Sequence, residues 1–228
     1  MRHTMNNDSN FYDNTMSKSK NPMTPKFYEN DPCSVYSYDY CNDIRDKIYY
    51  STGDNNLRND MLQYNSTVEA NFDLVGDIQD EWSIEDKSLI QRLEQMMCKH
   101  ITAFTNKKVI RVSTIPTDTL RPPWINYMRP NEYNPPHHHS GFFSFVWYLD
   151  IPEEIRQEWK KQRGSSAKRG CIQFFSQVMP KQHMTFNPKT NDLFVFDSGH
   201  NHQVYPFYSD NTRISLAGNV YQMEVSNE

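Results

Sequence analysis

"NPPHHHSGFFSFVWYL", residues Asn134 to Leu149, sets three consecutive histidines between two prolines and a run of aromatic and β-branched residues. Proline fixes its own φ and biases the preceding residue to extended backbone, and the Phe/Val/Trp run has strand composition. Alternate side chains of a strand share a face, so His137 and His139 are expected to point one way and His138 the other. Two imidazoles alone hold a metal poorly, so a third ligand must come from elsewhere in the fold.

The candidates lie in "DSGHNHQVYPFYSDNTRIS", Asp197 to Ser215, which offers Asp197, His200 and His202. His202 opens one strand-like stretch, and Arg213 opens another. Arg213 and Ser215, two apart on a strand, share a face. A guanidinium near a metal ligand suits a small dicarboxylate: one end chelates the metal, and the other pairs bidentately with Arg and a Ser hydroxyl. Either cluster alone is a weak signal, since most histidines bind nothing. Paired histidines at strand spacing, a distal histidine and Arg-x-Ser together are much more specific.

The pattern around these motifs is β. "KVIRVSTI", "WINYM", "FFSFVWYL", "CIQFF", "DLFVF", "HQVYPF" and "RISLAGNVYQ" are short and separated by Pro, Gly and Asn. They predict a mainly β fold, a sandwich or barrel. The stretch from Ser83 to Thr105 has apolar residues at helical spacing and predicts one amphipathic helix, with Ser83 as its N-cap and His100 as a packed or surface residue. "IPEEIRQEWKKQRGSSAKRG" (residues 151–170) reads as a charged, solvated loop, with a mobile lid as the sharper alternative. Residues 1–65 are rich in Asn, Asp, Ser and Tyr and predict a polar N-terminal arm, disordered or extended; residues 66–228 form the expected domain.

At 228 residues the chain is expected to hold one ordinary domain plus extra length. Hydrophobic residues make up only 36%, but aromatics reach 14%, so a core must be built on Phe, Tyr and Trp. A net charge of −4 gives no electrostatic reason to expect nucleic acid or an anionic membrane as partner. No apolar run approaches the roughly 20 residues of a membrane span, and the N-terminus lacks a signal-peptide core. The four cysteines contain no CxxC pair, and Asn65-Ser66-Thr67 is a sequon without a secretion signal. A cytoplasmic location is expected, that of the host if the gene is a phage's.

The two motif regions, "WINYMRPNEYNPPHHHSGFFSFVWYL" and "DLFVFDSGHNHQVYPFYSDNTRISLAGN", resemble the 2-oxoglutarate- and Fe(II)-dependent oxygenases. The similarity is to the short prolyl-4-hydroxylase-like branch of bacteria and phages, and it runs from about Asn71 to Gln222. It implies a double-stranded β-helix, a jelly-roll or cupin-like barrel with N-terminal packing helices and the metal in its mouth. The family's His-x-Asp/Glu falls on His137 and His139, its distal His on His202, and its Arg-x-Ser on Arg213 and Ser215. Tyr148 matches a tyrosine that hydrogen-bonds the same carboxylate, and Tyr127 is a weaker candidate for that shell. Asn126 and Asn219 are further pocket candidates without an assigned role. Phe142, Phe145, Trp147, Phe194 and Phe196 are candidates for apolar walls.

The resemblance implies Fe(II), 2-oxoglutarate and O2 as reactants, with ascorbate in support. The reaction would be hydroxylation of an unidentified substrate, with a prolyl or other amino-acid side chain, a free amino acid or a metabolite all open, and release of succinate and CO2. One departure stands out: the usual triad is two His and a carboxylate, and here His139 replaces the carboxylate, with Asp197 as the alternative source. Two other readings compete. One is a cupin-like, metal-binding module with no activity; the other is a three-His iron dioxygenase that does not use 2-oxoglutarate. Nucleic-acid demethylation fits an acidic chain poorly.

Overall fold

Nearly every aromatic or β-branched run between Trp124 and Val220 becomes a strand, and the chain distributes these strands between two sheets. The computed structural model describes residue 44 and residues 46–70, 74–115, 121–160, 168–178 and 183–226. The elements are β1 (Ile48–Thr52), α1 (Asn55–Gln63), β2 (Glu81–Ser83), α2 (Lys87–Thr105), β3 (Val109–Ser113), β4 (Trp124–Met128), β5 (Asn134–His137), β6 (Phe143–Asp150), α3 (Glu153–Lys160), β7 (Ile172–Phe175), β8 (His183–Phe186), β9 (Asp192–Asp197), β10 (His202–Val204), β11 (Arg213–Val220) and β12 (Gln222–Val225). A six-stranded sheet runs β1-β9-β6-β11-β4-β2, a four-stranded sheet runs β5-β10-β7-β8, and β12 pairs with β3. The strand pairings are antiparallel. From β4 onward the chain crosses repeatedly between the two larger sheets. This is the expected mainly β, double-stranded β-helix architecture, in the form of two facing sheets rather than a closed barrel.

Period-two alternation gives the six-stranded sheet two buried faces. In β6, Phe145, Trp147 and Leu149 join an outer core with Leu193 and Val195 of β9, while Tyr148 joins Phe194 and Phe196 in a second core. Leu57 and Met61 of α1 and Leu89, Leu93, Met97 and Ile101 of α2 cover the outer face. Ile172, Phe174, Met184, Phe186 and Val204 of the four-stranded sheet close the inner core. A strand buried on both sides reads as a continuous apolar run, which is why "DLFVF" shows no polar alternation. The candidate side chains His137, His139, His202, Arg213, Ser215 and Tyr148 line a cavity between the two sheets.

Several boundaries differ from the sequence expectation. The α2 helix starts at Lys87, capped by Asp86, whose carboxylate accepts from Ser88 and Leu89 N–H at 2.8 and 2.9 Å. Ser83, the expected cap, is instead in β2 opposite Trp124. His100 packs on α2 as expected, its ring 5.9 Å from that of Tyr49. Burial, with Lys99 adding to it, pushes the His100 imidazole down to about 4. In the charged 151–170 stretch, Glu153–Lys160 is helical, because Ile155 and Glu158, spaced i, i+3, turn inward. Its basic residues Lys161 and Arg163 lie outside the described residues.

Part of the stretch expected to form an N-terminal arm belongs to the fold. Residues 1–43 lie outside the described residues, but 46–65 belong to the fold. β1 pairs along β9 from Ile48↔Phe196 to Thr52↔Asp192. The polar "DNNLRND" stretch (residues 54–60) of that arm enters α1, where Asp54 caps Leu57 N–H at 2.8 Å and Leu57 and Met61, four apart, are buried. Too few apolar residues mark this helix for periodicity to find it.

Two outcomes are expected from this packing. Met61→Ala should lower unfolding free energy by about 2–5 kcal/mol; an unchanged urea midpoint would mean α1 is not part of the cooperative unit. His100 is neutral when folded and has a lower pKa than in the unfolded chain. It therefore contributes stability above pH about 6.5 that is lost as pH falls towards 4. His100→Gln should make the fall in stability between pH 7 and 4.5 shallower by close to one proton, read from urea melts at each pH.

Candidate metal and anion site

Three histidines converge where β5 ends and β10 begins. Pro135 and Pro136 keep β5 extended, and antiparallel pairing sets His137 directly opposite His202. His139 lies two residues beyond the strand, its N–H donating to Ser198 C=O at 2.8 Å. Ring centroids are 4.9 Å apart for His137–His139, 4.3 Å for His137–His202 and 5.1 Å for His139–His202. One donor atom from each lies within 4.8 Å of the other two. His138 between them is exposed.

The donor chemistry suits a divalent ion. His137 Nδ1 lies 2.7 Å from Pro135 C=O, and His202 Nδ1 lies 3.1 Å from His200 C=O. A carbonyl only accepts, so each Nδ1 carries the hydrogen and each Nε2 keeps its lone pair for a metal. Burial lowers the pKa of all three, with His139 pushed down to about 3 and His202 well below the usual range. Neutral imidazole is the ligating form, and three such donors leave further coordination positions open. Phe196 and Phe174 pack on the His202 ring at 4.7 and 5.8 Å. Asp197 is turned away, ion-paired with Lys47 at 3.2 Å and accepting from Gly199 N–H. His200 is buried but outside the converging set.

A cation waits at the other end of the same cavity. Arg213, only 2% exposed, donates from Nη1 to Gly170 C=O at 2.9 Å and from Nη2 to Met128 Sδ. Its guanidinium also lies over the rings of Tyr148 and Phe207 at 5.5 and 5.8 Å. None of these partners is an anion, and among the described residues Arg213 has no ion pair. Its Nε, the Tyr148 hydroxyl and Asn126 Oδ1 are buried without a hydrogen-bond partner. Ser215 sits between two of them, opposite Asn126 on β4 and Tyr148 on β6, and accepts from Asn126 Nδ2 at 3.4 Å. Burial holds the Tyr148 phenol far above its usual range, so it is a donor. A buried charge left uncompensated costs several kcal/mol. A small anion with several oxygens would satisfy Arg213, Tyr148 and Ser215 together.

The structure thus brings His137, His139, His202, Arg213, Ser215 and Tyr148 around one cavity. Tyr127 is the correction. It alternates with Asn126 and Met128, so its side chain faces the outer side of the sheet beside Ile125, Tyr64 and Trp82. Its neighbour Asn126 takes the inward place. Of the expected walls, Phe196 lines the cavity from the inner core, Phe145 borders it while packing with Trp147 in the outer core, and Phe142 is 55% exposed. A second cavity of about 540 Å³ shares His139 and Trp124 with the first, and Asn219 lines it. Glu81, which no motif singles out, lines the first cavity from β2.

Comparison with known proteins gives one family match and several structural likenesses. Residues 123–219, which contain all six converging side chains, match the family described as "Putative 2OG-Fe(II) oxygenase". Among solved structures, a prolyl-4-hydroxylase from Pseudomonas putida aligns with a TM-score of 0.51 at 13% identity, covering 77% of this chain and 92% of that one. A prolyl hydroxylase from Trichoplax adhaerens, in complex with a hypoxia inducible factor peptide fragment, aligns at 0.49 and 12% identity, covering 77% and 84%. A 2OG-Fe(II) oxygenase family oxidoreductase from Burkholderia pseudomallei aligns at 0.48 and 16%, with the same coverage. The first of these supports a common fold. A search of curated proteins gives no match.

The two tyrosines separate cleanly in a binding test. Tyr148→Phe should weaken 2-oxoglutarate binding about tenfold, roughly one charge-assisted hydrogen bond, and Tyr127→Phe should leave it unchanged. Anaerobic calorimetry reads both; equal losses would mean that the inward and outward faces of β4 are assigned wrongly.

Proposed function

We propose that the chain is a 2-oxoglutarate- and Fe(II)-dependent oxygenase, as the match over residues 123–219 supports, in which His137, His139 and His202 hold the iron while Arg213, Ser215 and Tyr148 hold 2-oxoglutarate. The observation that carries this reading is the pairing, in one cavity, of three converging neutral imidazoles with a buried guanidinium that has no anion. When bound, iron supplies the coupled oxidation of 2-oxoglutarate and substrate by O2, yielding succinate, CO2 and a hydroxylated product. Ascorbate would serve only to keep iron ferrous.

The protein's own part is binding, orientation and exclusion of water. The Nδ1–H groups of His137 and His202, fixed on backbone carbonyls, aim both Nε2 atoms at one point. The Arg213 fork pairs with the far carboxylate of 2-oxoglutarate, and Ser215 and Tyr148 donate their hydroxyl hydrogens to its oxygens. Ile172, Phe196 and Val204 keep that end dry. The adjoining 540 Å³ cavity, reached past His139 and Trp124, receives the primary substrate. Its volume accommodates an amino-acid side chain with adjacent backbone, the class suggested by the prolyl hydroxylase among the structural neighbours.

The purified protein with Fe(II), ascorbate and 2-oxoglutarate should form succinate slowly even without substrate, and His202→Ala should abolish it. Arg213→Ala should weaken 2-oxoglutarate binding about 100-fold, on the order of 3 kcal/mol. Metal binding without 2-oxoglutarate binding would favour the cupin-like module. Oxygen consumption independent of 2-oxoglutarate would favour a direct three-His dioxygenase.

A further inference from the structure

The six-stranded sheet carries a row of polar side chains across its inner face. Antiparallel register sets Glu81 of β2 opposite Asn126 of β4, Asn126 opposite Ser215 of β11, and Ser215 opposite Tyr148 of β6. All four are buried. Directly opposed residues share a face, so Glu81 ends the same row whose other members stand at the anion end of the site. It lines the cavity that holds the three histidines and Arg213, and among the described lining residues it is the sole carboxyl group.

The charge balance of the loaded site gives that carboxyl a role. A divalent cation and the Arg213 guanidinium outweigh the 2-oxoglutarate dianion by one positive charge, because all three protein ligands are neutral. In a buried cavity an unbalanced charge is costly, and the effect falls with distance more slowly than in water. Asp197, the other nearby candidate, is spent on Lys47 at the surface. We propose that Glu81 is the counter-charge of this centre. It stands outside the converging imidazole donors and supplies the negative charge that a carboxylate ligand would otherwise bring, thereby strengthening divalent-cation binding. The inference rests on the site reading given under the proposed function.

The surroundings of Glu81 agree with this role. Its neighbour Glu132 accepts backbone N–H groups of Arg129 at 2.7 Å and Gln79 at 3.3 Å. Burial first, and the Glu132 charge second, push Glu81 up to about 7. The groups facing it across the cavity are the histidines, Arg213 and Tyr148. A carboxyl poised in this way is easily ionised by an added dication.

The test is anaerobic Co(II) titration of the full chain, followed by visible absorption, with and without 2-oxoglutarate. Glu81→Gln should bind Co(II) about tenfold more weakly, whereas its metal-free melting temperature should equal or exceed that of the wild type. Glu81→Asp should recover affinity, and Glu132→Gln should bind at least as tightly as wild type. Unchanged Co(II) affinity in Glu81→Gln would overturn the inference, and so would equal losses in the Gln and Asp variants. Failure of the wild type itself to bind Co(II) would overturn the three-histidine reading and this inference with it.

Discussion

A guanidinium placed between two β-sheets at 2% exposure dictates much of what surrounds it. Stripped of water, Arg213 is served by one carbonyl, one thioether and two aromatic faces. Those contacts orient it but do not neutralise it. A sequence selected for stability alone would replace such a group by an apolar one, because buried ionic groups rarely outperform well-packed hydrophobic residues. Its retention beside the Tyr148 hydroxyl, a donor without a partner, is intelligible as a site prepared for an anion.

Register keeps that preparation in place. Side chains alternate with period two, so a one-residue slip of β11 would send Arg213 and Ser215 into the outer apolar core and bring Ile214 inward. The slip is opposed from both sides. β4 pairs along Arg213↔Met128 to Ala217↔Trp124, and β6 along Ser215↔Tyr148 to Val220↔Phe143. The register shift against β6 falls between Ile214 and Ser215, at the base of the site. On the outer side, Gly218 leaves room for the Phe145 ring, which a Cβ there would meet at 2.6 Å. Packing of α1 and α2 on one face therefore helps fix the polar row on the other.

Legibility in the sequence followed the strength of the local signal. The alternation of His137 and His139, and of Arg213 and Ser215, is a property of extended backbone, and it survived even though His139 lies past the end of β5. Tyr148 came from family resemblance rather than from spacing. Resemblance names Tyr127, but the period of β4 turns it outward with Ile125, opposite in parity to Asn126. The α1 helix, with only Leu57 and Met61 buried, was too polar to show a face. Glu81 was unreadable for a different reason. β2 is three residues long, and its meaning comes from pairing with Asn126, a contact 45 positions away that no local pattern encodes.

The two ends of the site are built differently, and the difference has a physical consequence. Tyr148, Asn126 and Ser215 are interior to strands and Arg213 opens β11 in register with β4, so the sheet ladders fix their backbones in advance. The metal end has less support: His137 is the last residue of β5, His202 the first of β10, and His139 lies in the segment beyond. Sites on regular elements are more precise than sites on loops. The anion end is thus preorganised by the fold. The three imidazoles, each placed by only a few local contacts, depend more on the ion itself to draw them into a single geometry. On the proposed reading, the rigid half would recognise the dicarboxylate and the adjustable half would adapt to the ion.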